Sequence, residues 1–485
     1  MTYIVEWSSP STGASSGEDL PPIPKKIRKT HLGCISAGAL QSFVKPSNVS
    51  LVKSFLSHEK SWAYRSMLLI SVCAVALGVW ARFYHLGFPP SRLWDERYFP
   101  AMANKYLQGV YQFDLHPPLG KFIIAVGIAL LGNEPLGWRI MPALFGLALV
   151  PLAALLGWYC LKERVGAMLL TTFFAAETIF IAHSRLGVMD IFVVFFVLAA
   201  FFAALRAAND RQVIFSSVLI GLAVAVKWAA FPVAVPIGYV LWRKGLLRPF
   251  LGGLWISAVV YVAVVYVGAL ITITTNPIEA WVWAWDWHVD AARKVTAAIP
   301  HAWASPWWSW PIMLRPIRFY YAANAEGLYQ VIMAMGNPLI WWSSTLAVVV
   351  SIFEMARKAV ARKLSADDPI IPIVLGYVFL LAPWVAGTRI PYIYNYLPIY
   401  PFAILALVYW MCKIWNRPRW GPWVVVGFTA CAVALTVFFL PLVLAIPINE
   451  DDLMRRVWIV YWFYYERPVP GSGCLVANPA KLCPQ

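Results

Sequence analysis

The sequence predicts an all-α, polytopic integral membrane protein, and three observations carry that prediction. Hydrophobic residues make up 61% of the 485 residues and charged residues only 13%, where a soluble domain carries about a quarter. The apolar residues fall into long uncharged runs, such as 66–81 and 191–205. With their flanks these approach the roughly twenty residues that cross a bilayer as helix. The basic residues behind the formal net charge of +16 gather in short segments between the runs, which is how positive charge is held on the cytoplasmic side during insertion. The charge therefore reads as topology and not as nucleic-acid binding.

Loop charges then order the spans. The groups are Lys162 and Arg164; Arg206 and Arg211; Arg243, Lys244 and Arg248; Arg357, Lys358, Arg362 and Lys363; Lys413, Arg417 and Arg419. If all are cytoplasmic, an even number of crossings separates neighbouring groups. Apolar runs supply pairs at 166–182 and 186–205, 213–226 and 228–241, 249–272 and 330–355, and 369–386 and 397–412, with a last span at 421–446. Run 122–131 is too short to cross, because the bilayer core needs about twenty helical residues. Parity leaves one crossing between run 66–81 and Lys162, at 137–161, so 122–131 should lie against the membrane or dip in from outside. The expectation is about eleven transmembrane helices, N-terminus inside and C-terminus outside.

Domain boundaries follow. Residues 1–60, polar and with a basic stretch at 24–31, read as a disordered cytoplasmic tail, with no cleavable signal peptide. Residues 61–446 form the transmembrane domain, with a first outer loop at 82–136 and a second at 274–328. Residues 447–485 form an outer tail. Cys73, Cys160, Cys412 and Cys431 lie in or beside apolar runs and read as packing residues. Cys34 falls in the N-terminal tail; Cys474 and Cys483 could close a disulfide loop if the C-terminal tail faces an oxidising compartment.

The first outer loop holds the sharpest chemical signal. Asp95 and Glu96 precede Phe99, Met102, Tyr106, Leu107 and Val110, whose spacing predicts an amphipathic helix on the membrane surface. Asp95 either caps that helix, with Glu96 at its dipole end, or is a carboxylate held where a lipid headgroup reaches it. Further on, Asp114-Leu115-His116-Pro117-Pro118-Leu119-Gly120-Lys121 places Asp114 and His116 on one side of an extended segment. Two ligands are too few to assign a metal, and a hydrogen-bonded Asp–His pair is the structural reading. Glu177 and Asp190, inside apolar spans, read as structural. The second loop carries Trp281, Trp283, Trp285, Trp287, Trp303, Trp307, Trp308 and Trp310. Aromatic belts at interfaces account for many of them, and a subset at 305–311 could line a lipid or sugar path. His288 and His301 receive no role. No Asp-x-Asp, glycine-rich phosphate loop or His-Glu-x-x-His motif occurs.

These residues resemble the protein O-mannosyltransferases, glycosyltransferase family 39. The match takes in Asp95-Glu96 and the run 114–121. It continues through His183-Ser184-Arg185 with Asp190, Lys227-Trp228, the tryptophan-rich 305–311, Gly336-Asn337-Pro338, and Pro383-Trp384 with Arg389 and Tyr396. The resemblance implies a GT-C fold. It also implies inverting transfer of a sugar, mannose in that family, from a polyprenyl-phosphate carrier to Ser or Thr hydroxyls of proteins. The site would lie on the extracytoplasmic face of the cell membrane. It gives Asp95 the part of base at the acceptor hydroxyl and Glu96 a supporting part. Cations should stabilise the departing phosphate, and the candidates are Arg139, Arg185, Arg389, Lys121 and Lys227, with an Arg185–Asp190 ion pair as the structural alternative. Tyr98, Asp114, His116, Trp307, Trp308 and Tyr396 are the candidate cleft residues. No metal ligand is assigned, although a divalent cation at the phosphate is compatible with the pattern.

The second loop is too short for the β-rich MIR domain of the eukaryotic members, which points to the bacterial type. Asn395 stands before Tyr396 where many relatives carry His or Tyr. Two other functions fit parts of the pattern. An aminoarabinose-type GT-C transferase shares the Asp-Glu start but typically carries Lys-Pro-Pro where this chain has His116-Pro117-Pro118. A transporter for the lipid-linked sugar would need charges running through the bilayer.

Overall fold

Every boundary that matters for the site is set by a local signal, and Asn337 is the clearest. Its side chain accepts from the backbone N–H groups of Leu339 and Ile340 and so starts the helix Pro338–Val360, with Pro338 at the first turn. The same side chain donates to the Ala432 carbonyl and to Thr436 Oγ1, so this cap is also a tertiary joint. The computed structural model describes residues 46–295, 303–387 and 391–463, and the chain divides into two compact units, residues 1–55 and 56–485. The helix Pro46–Phe83 begins in the stretch expected to be a disordered tail, so residues 46–60 are helical. Arg389, His301, Cys34, Cys474 and Cys483 lie outside the described residues.

Five described helices are long and apolar enough to cross a membrane: Ser61–Phe83, Pro135–Leu161, Leu247–Thr272, Pro338–Val360 and Trp420–Phe439. A sixth results if the bent pair Arg164–Ala176 and Thr178–Ser184 is one span. By length and composition alone the described residues thus supply fewer candidates than the expected eleven or so, because several apolar runs fold as shorter helices. The runs at 186–205 and 213–226 fold as Asp190–Arg206 and Asp210–Val226, 17 residues each; at 1.5 Å per residue, about 26 Å, each sits at the short limit for a spanning helix. The run at 228–241 divides into a 3-10 turn, Trp228–Val233, and the helix Ala234–Arg243. Ile370–Ala386 and Tyr400–Trp415 are apolar but short.

The described residues are mostly helical, as expected, with one local departure. Strands β1 (Ile317–Ala323) and β2 (Tyr329–Ala334) form an antiparallel hairpin. Part of the run expected to begin a span at 330 is therefore strand, and its helix starts only at Pro338.

Contacts sort the loops into two sets. At one end, Phe88 meets Tyr320, Trp94 meets Trp303 and Phe319, and Tyr329 pairs with Ile448. The first loop, the second loop and the segment after the last span thus share one end. At the other end Asn416 donates to Glu163, Lys244 Nζ to the carbonyls of Ala204, Leu205 and Ala207, and Arg243 pairs with Asp367. The long helices run between these ends, as loop parity requires. In the first loop, helices Phe99–Leu107 and Leu119–Leu131 form. The second folds back on Pro135–Leu161 at a close approach: a side chain at Gly127 would collide with the Gly137 carbonyl oxygen.

Candidate functional site

Asp95 sits in a 3-10 turn, Trp94–Arg97, that opens the first loop's chemistry. Trp94 has φ +46°, a left-handed conformation that costs energy for a bulky residue and persists only where surroundings enforce it. The enforcement is visible. The Trp94 ring packs edge-on against Trp303 and Phe319, and Glu96, next to Asp95, is locked. Glu96 Oε1 accepts from Arg139 Nε at 2.8 Å and from the Gly187 N–H at 2.7 Å. Its Oε2 accepts from Arg139 Nη2 at 2.8 Å and from the Leu93 N–H at 3.0 Å. This is the bidentate fork that guanidinium and carboxylate favour. Glu96 and Arg139 are both fully buried, and Arg139 also donates to the carbonyls of Leu86, Pro89 and Ser91. The expected role of Arg139 at the donor phosphate is therefore corrected: its donors are spent inside the protein. Glu96 likewise orients the turn that presents half-buried Asp95 and has no face toward substrate.

Three other expected cations divide the same way. Arg185 is buried and donates to the carbonyls of Ala81, Arg82 and His85, at the C-terminal end of the helix Pro46–Phe83. A cation there satisfies the last carbonyls and the helix dipole, so Arg185 is not the partner of Asp190. Lys121 is buried and donates to Asp114 Oδ2 and to the His116 carbonyl, both at 2.6 Å. Asp114 thus takes Lys121 as a partner in addition to His116, whose ring charge and backbone N–H both act on its carboxylate. Burial alone would push the Asp114 carboxyl upward, but the Lys121 ammonium and His116 hold it below the usual carboxylate range.

Lys227 is placed differently. It ends the helix Asp210–Val226 in an extended conformation, and its Nζ bonds Asp190 Oδ1 at 2.6 Å and lies 5.2 Å from the Tyr394 ring centroid. This pair lines a cavity of about 390 Å³ whose walls also include His116, Trp228, Trp384 and Asn395. Four stretches far apart in sequence, 115–116, 190–193, 227–232 and 383–398, meet here, and four of the motifs quoted above contribute to the lining. The polar groups are few and convergent in an otherwise apolar wall, the usual character of a ligand pocket. Asp95 is not among the lining residues. The link between the two places is His116, whose ring lies 6.0 Å from that of Phe99, the first residue of the helix after the Asp95 turn.

The remaining candidates scatter. Tyr98 and Trp308 are exposed and Trp307 is half-buried. Tyr396 is fully buried and donates to the Tyr377 hydroxyl at 3.1 Å, so it supports the cavity region from behind. The 305–311 motif folds on itself: Trp310 Nε1 donates to Ser305, and its carbonyl accepts from Trp341. Glu177 stands at the 55° break between Arg164–Ala176 and Thr178–Ser184, and accepts from the Asn337 N–H and the Tyr400 hydroxyl. Tyr394 was missed, because nothing in a Tyr-Asn-Tyr stretch marks one ring as facing a lysine. Among the described residues no group of three or more His, Cys, Asp or Glu side chains could hold a metal ion.

Comparison with known proteins identifies the family and the fold. Two family models match in succession: dolichyl-phosphate-mannose-protein mannosyltransferase over residues 72–138 and 135–283, and the C-terminal four-transmembrane region of protein O-mannosyltransferase over 280–462. The polyprenol-phosphate-mannose–protein mannosyltransferase of Mycolicibacterium smegmatis is 24% identical over 88% of this chain and 98% of its own. That of Corynebacterium glutamicum is 24% identical over 73% of this chain and 82% of its own. In fold, the chain is similar to the Saccharomyces cerevisiae protein O-mannosyltransferase Pmt1–Pmt2 complex bound to the sugar donor. The TM-score is 0.73 at 15% identity, over 82% of this chain and 93% of that one. The fold and site define a membrane-embedded glycosyltransferase of the GT-C class. Within it, the chain belongs to the protein O-mannosyltransferase family.

Proposed function

We propose that this protein transfers a mannosyl residue from a polyprenyl-phosphate carrier to Ser or Thr hydroxyl groups of proteins at the extracytoplasmic face of the cell membrane. The observation that carries the reading is the Lys227–Asp190 cavity, where a cation sits in an apolar pocket assembled from the family's motifs. An ammonium held there suits a lipid monophosphate, whose negative charge grows as the glycosidic bond breaks. The names of the relatives support the donor and the protein acceptor.

In the transfer, the acceptor oxygen attacks the anomeric carbon, and the bond from that carbon to the phosphate oxygen breaks. The bonding electrons leave with the carrier phosphate, and the acceptor proton passes to the Asp95 carboxylate. Attack opposite the leaving group inverts the anomeric configuration, so base and phosphate site must lie on opposite sides of the sugar. Separate seats for Asp95 and Lys227 are consistent with that requirement. The N-terminal tail lies in the cytoplasm, and the end carrying Asp95, the hairpin and residues 447–463 faces outward.

The test is purified protein given polyprenyl-phosphate mannose and a Ser/Thr peptide, with the product read by mass spectrometry. Mannosyl-peptide of inverted configuration is expected. Transfer to lipid A or to a glycan instead of peptide would overturn the acceptor assignment. Parallel reactions with EDTA decide whether a divalent cation takes part.

A further inference from the structure

We infer that His288 is a positioning residue of the Lys227 cavity and acts through Tyr261 on Trp228. The inference rests on the proposed use of that cavity for the carrier headgroup. Trp228 follows Lys227 directly and lines the cavity. Its Nε1 donates to the Tyr261 hydroxyl oxygen at 2.8 Å, that oxygen lies 2.7 Å from His288 Nε2, and His288 Nδ1 meets the Ala284 carbonyl.

Donor and acceptor chemistry gives this chain one direction. The Ala284 carbonyl can only accept, so Nδ1 carries the proton of the neutral imidazole. Nε2 is then an acceptor and takes the Tyr261 hydroxyl proton, while the tyrosine oxygen takes the indole N–H. Every donor points from Trp228 toward Ala284.

The chain joins three elements. Trp228 opens the 3-10 turn Trp228–Val233, Tyr261 lies on Leu247–Thr272, and His288 lies on Pro277–Val295. The last helix reaches the other side of the cavity as well. Trp287, whose ring is 5.9 Å from that of Trp228, donates from Nε1 to the Asp114 carbonyl at 3.1 Å. Asp114 in turn holds Lys121 beside His116, another lining residue. One helix of the second loop therefore braces two walls of the cavity without lining it. Removing the acceptor at the end of the chain frees the Tyr261 hydroxyl to turn, and the indole beside Lys227 loses its fixed partner. Asp95 and the acceptor hydroxyl are not touched, so the carrier should bind less tightly while turnover at saturating carrier is kept.

Full-length protein in nanodiscs tests this with undecaprenyl phosphate as the binding probe and mannosyl transfer to a Ser/Thr peptide as the second readout. His288→Phe and Tyr261→Phe should each weaken binding of undecaprenyl phosphate and raise the donor KM by about fivefold, the loss of one hydrogen bond, with kcat kept. The double variant should be no weaker than either single variant, since both cut the same chain. His288→Gln, which can still accept from the Tyr261 hydroxyl, should restore binding. The inference is overturned by binding equal to wild type in both single variants, by losses that multiply to about 25-fold in the double variant, or by a fall in kcat with donor KM unchanged. Tyr261→Phe removes only a hydroxyl and decides the matter if His288→Phe misfolds. If wild-type protein binds undecaprenyl phosphate, the variants weaken that binding and yet no mannose reaches peptide, the positioning role stands and the proposed reaction falls. If wild-type protein binds no polyprenyl phosphate, both fall.

Discussion

The pairs Glu96–Arg139 and Asp190–Lys227 are alike in composition and unlike in use. Both join a carboxylate and a cation across many residues, and both carry motif residues of the family. The first is sealed: both side chains are 0% exposed and the carboxylate accepts four hydrogen bonds. The second keeps 12% of the lysine side chain exposed on the wall of a cavity. A saturated, buried pair can only hold shape, while a pair at a cavity wall can exchange part of its bonding for a ligand. The sealed pair fixes the turn that carries its neighbour Asp95; on the function proposed above, the open pair is the binding surface.

Experiments on the two pairs should separate in kind. The largest effect belongs to the residue the sealed pair presents. Asp95→Asn should lower transfer by about 10²–10⁴-fold, the usual contribution of a general base, while expression and carrier binding persist. Wild-type activity in that variant would remove Asp95 from the mechanism. Arg139→Met comes next, because it strands the buried Glu96 carboxylate and should cost about 3–5 kcal/mol of stability. The check is the melting temperature in detergent, and adding Glu96→Gln should recover part of the loss. If Arg139→Met melts like wild type, the pair is not structural.

Lys227→Gln should leave melting close to wild type, because an amide can still bond Asp190. It should raise the donor KM by about tenfold or more, in keeping with the loss of about 1.5–3 kcal/mol from a charged hydrogen bond. A change in peptide KM alone would move the phosphate site elsewhere. The smallest effect is acid sensitivity at a third pair, Asp114–Lys121. Because the folded-state value of Asp114 is lowered, its contribution is complete above the unfolded carboxylate range, near pH 4, and is lost as pH falls through the lowered value. Melting temperature below about pH 4 should therefore fall less steeply in Asp114→Asn than in wild type.

Much of this was legible in the sequence because membranes constrain composition strongly. Loop parity grouped the ends as the contacts do, and the motif residues His116, Asp190, Lys227, Trp228 and Trp384 did converge. Pairing was not legible. Arg185 is five residues from Asp190 in sequence, yet Lys227, 37 residues away, is its partner. Burial was not legible either: Arg139 and Lys227 look equivalent as isolated cations, and only packing reveals which one is enclosed. The hairpin was hidden by hydrophobicity. Strand β2 ends in the short apolar stretch 331–335 before Gly336-Asn337-Pro338 starts the next helix, and periodicity cannot assign so short an apolar run to strand or helix.

The bridge between Tyr329 and Ile448, with the Trp462 indole donating to the Met313 carbonyl, gives the chain's closing stretch an outsized part in its biogenesis. Those partners emerge from the ribosome only after the final span, Trp420–Phe439, has been made. A nascent chain cut short near residue 440 would therefore hold the described spans and the hairpin's own pairing but lack these two ties.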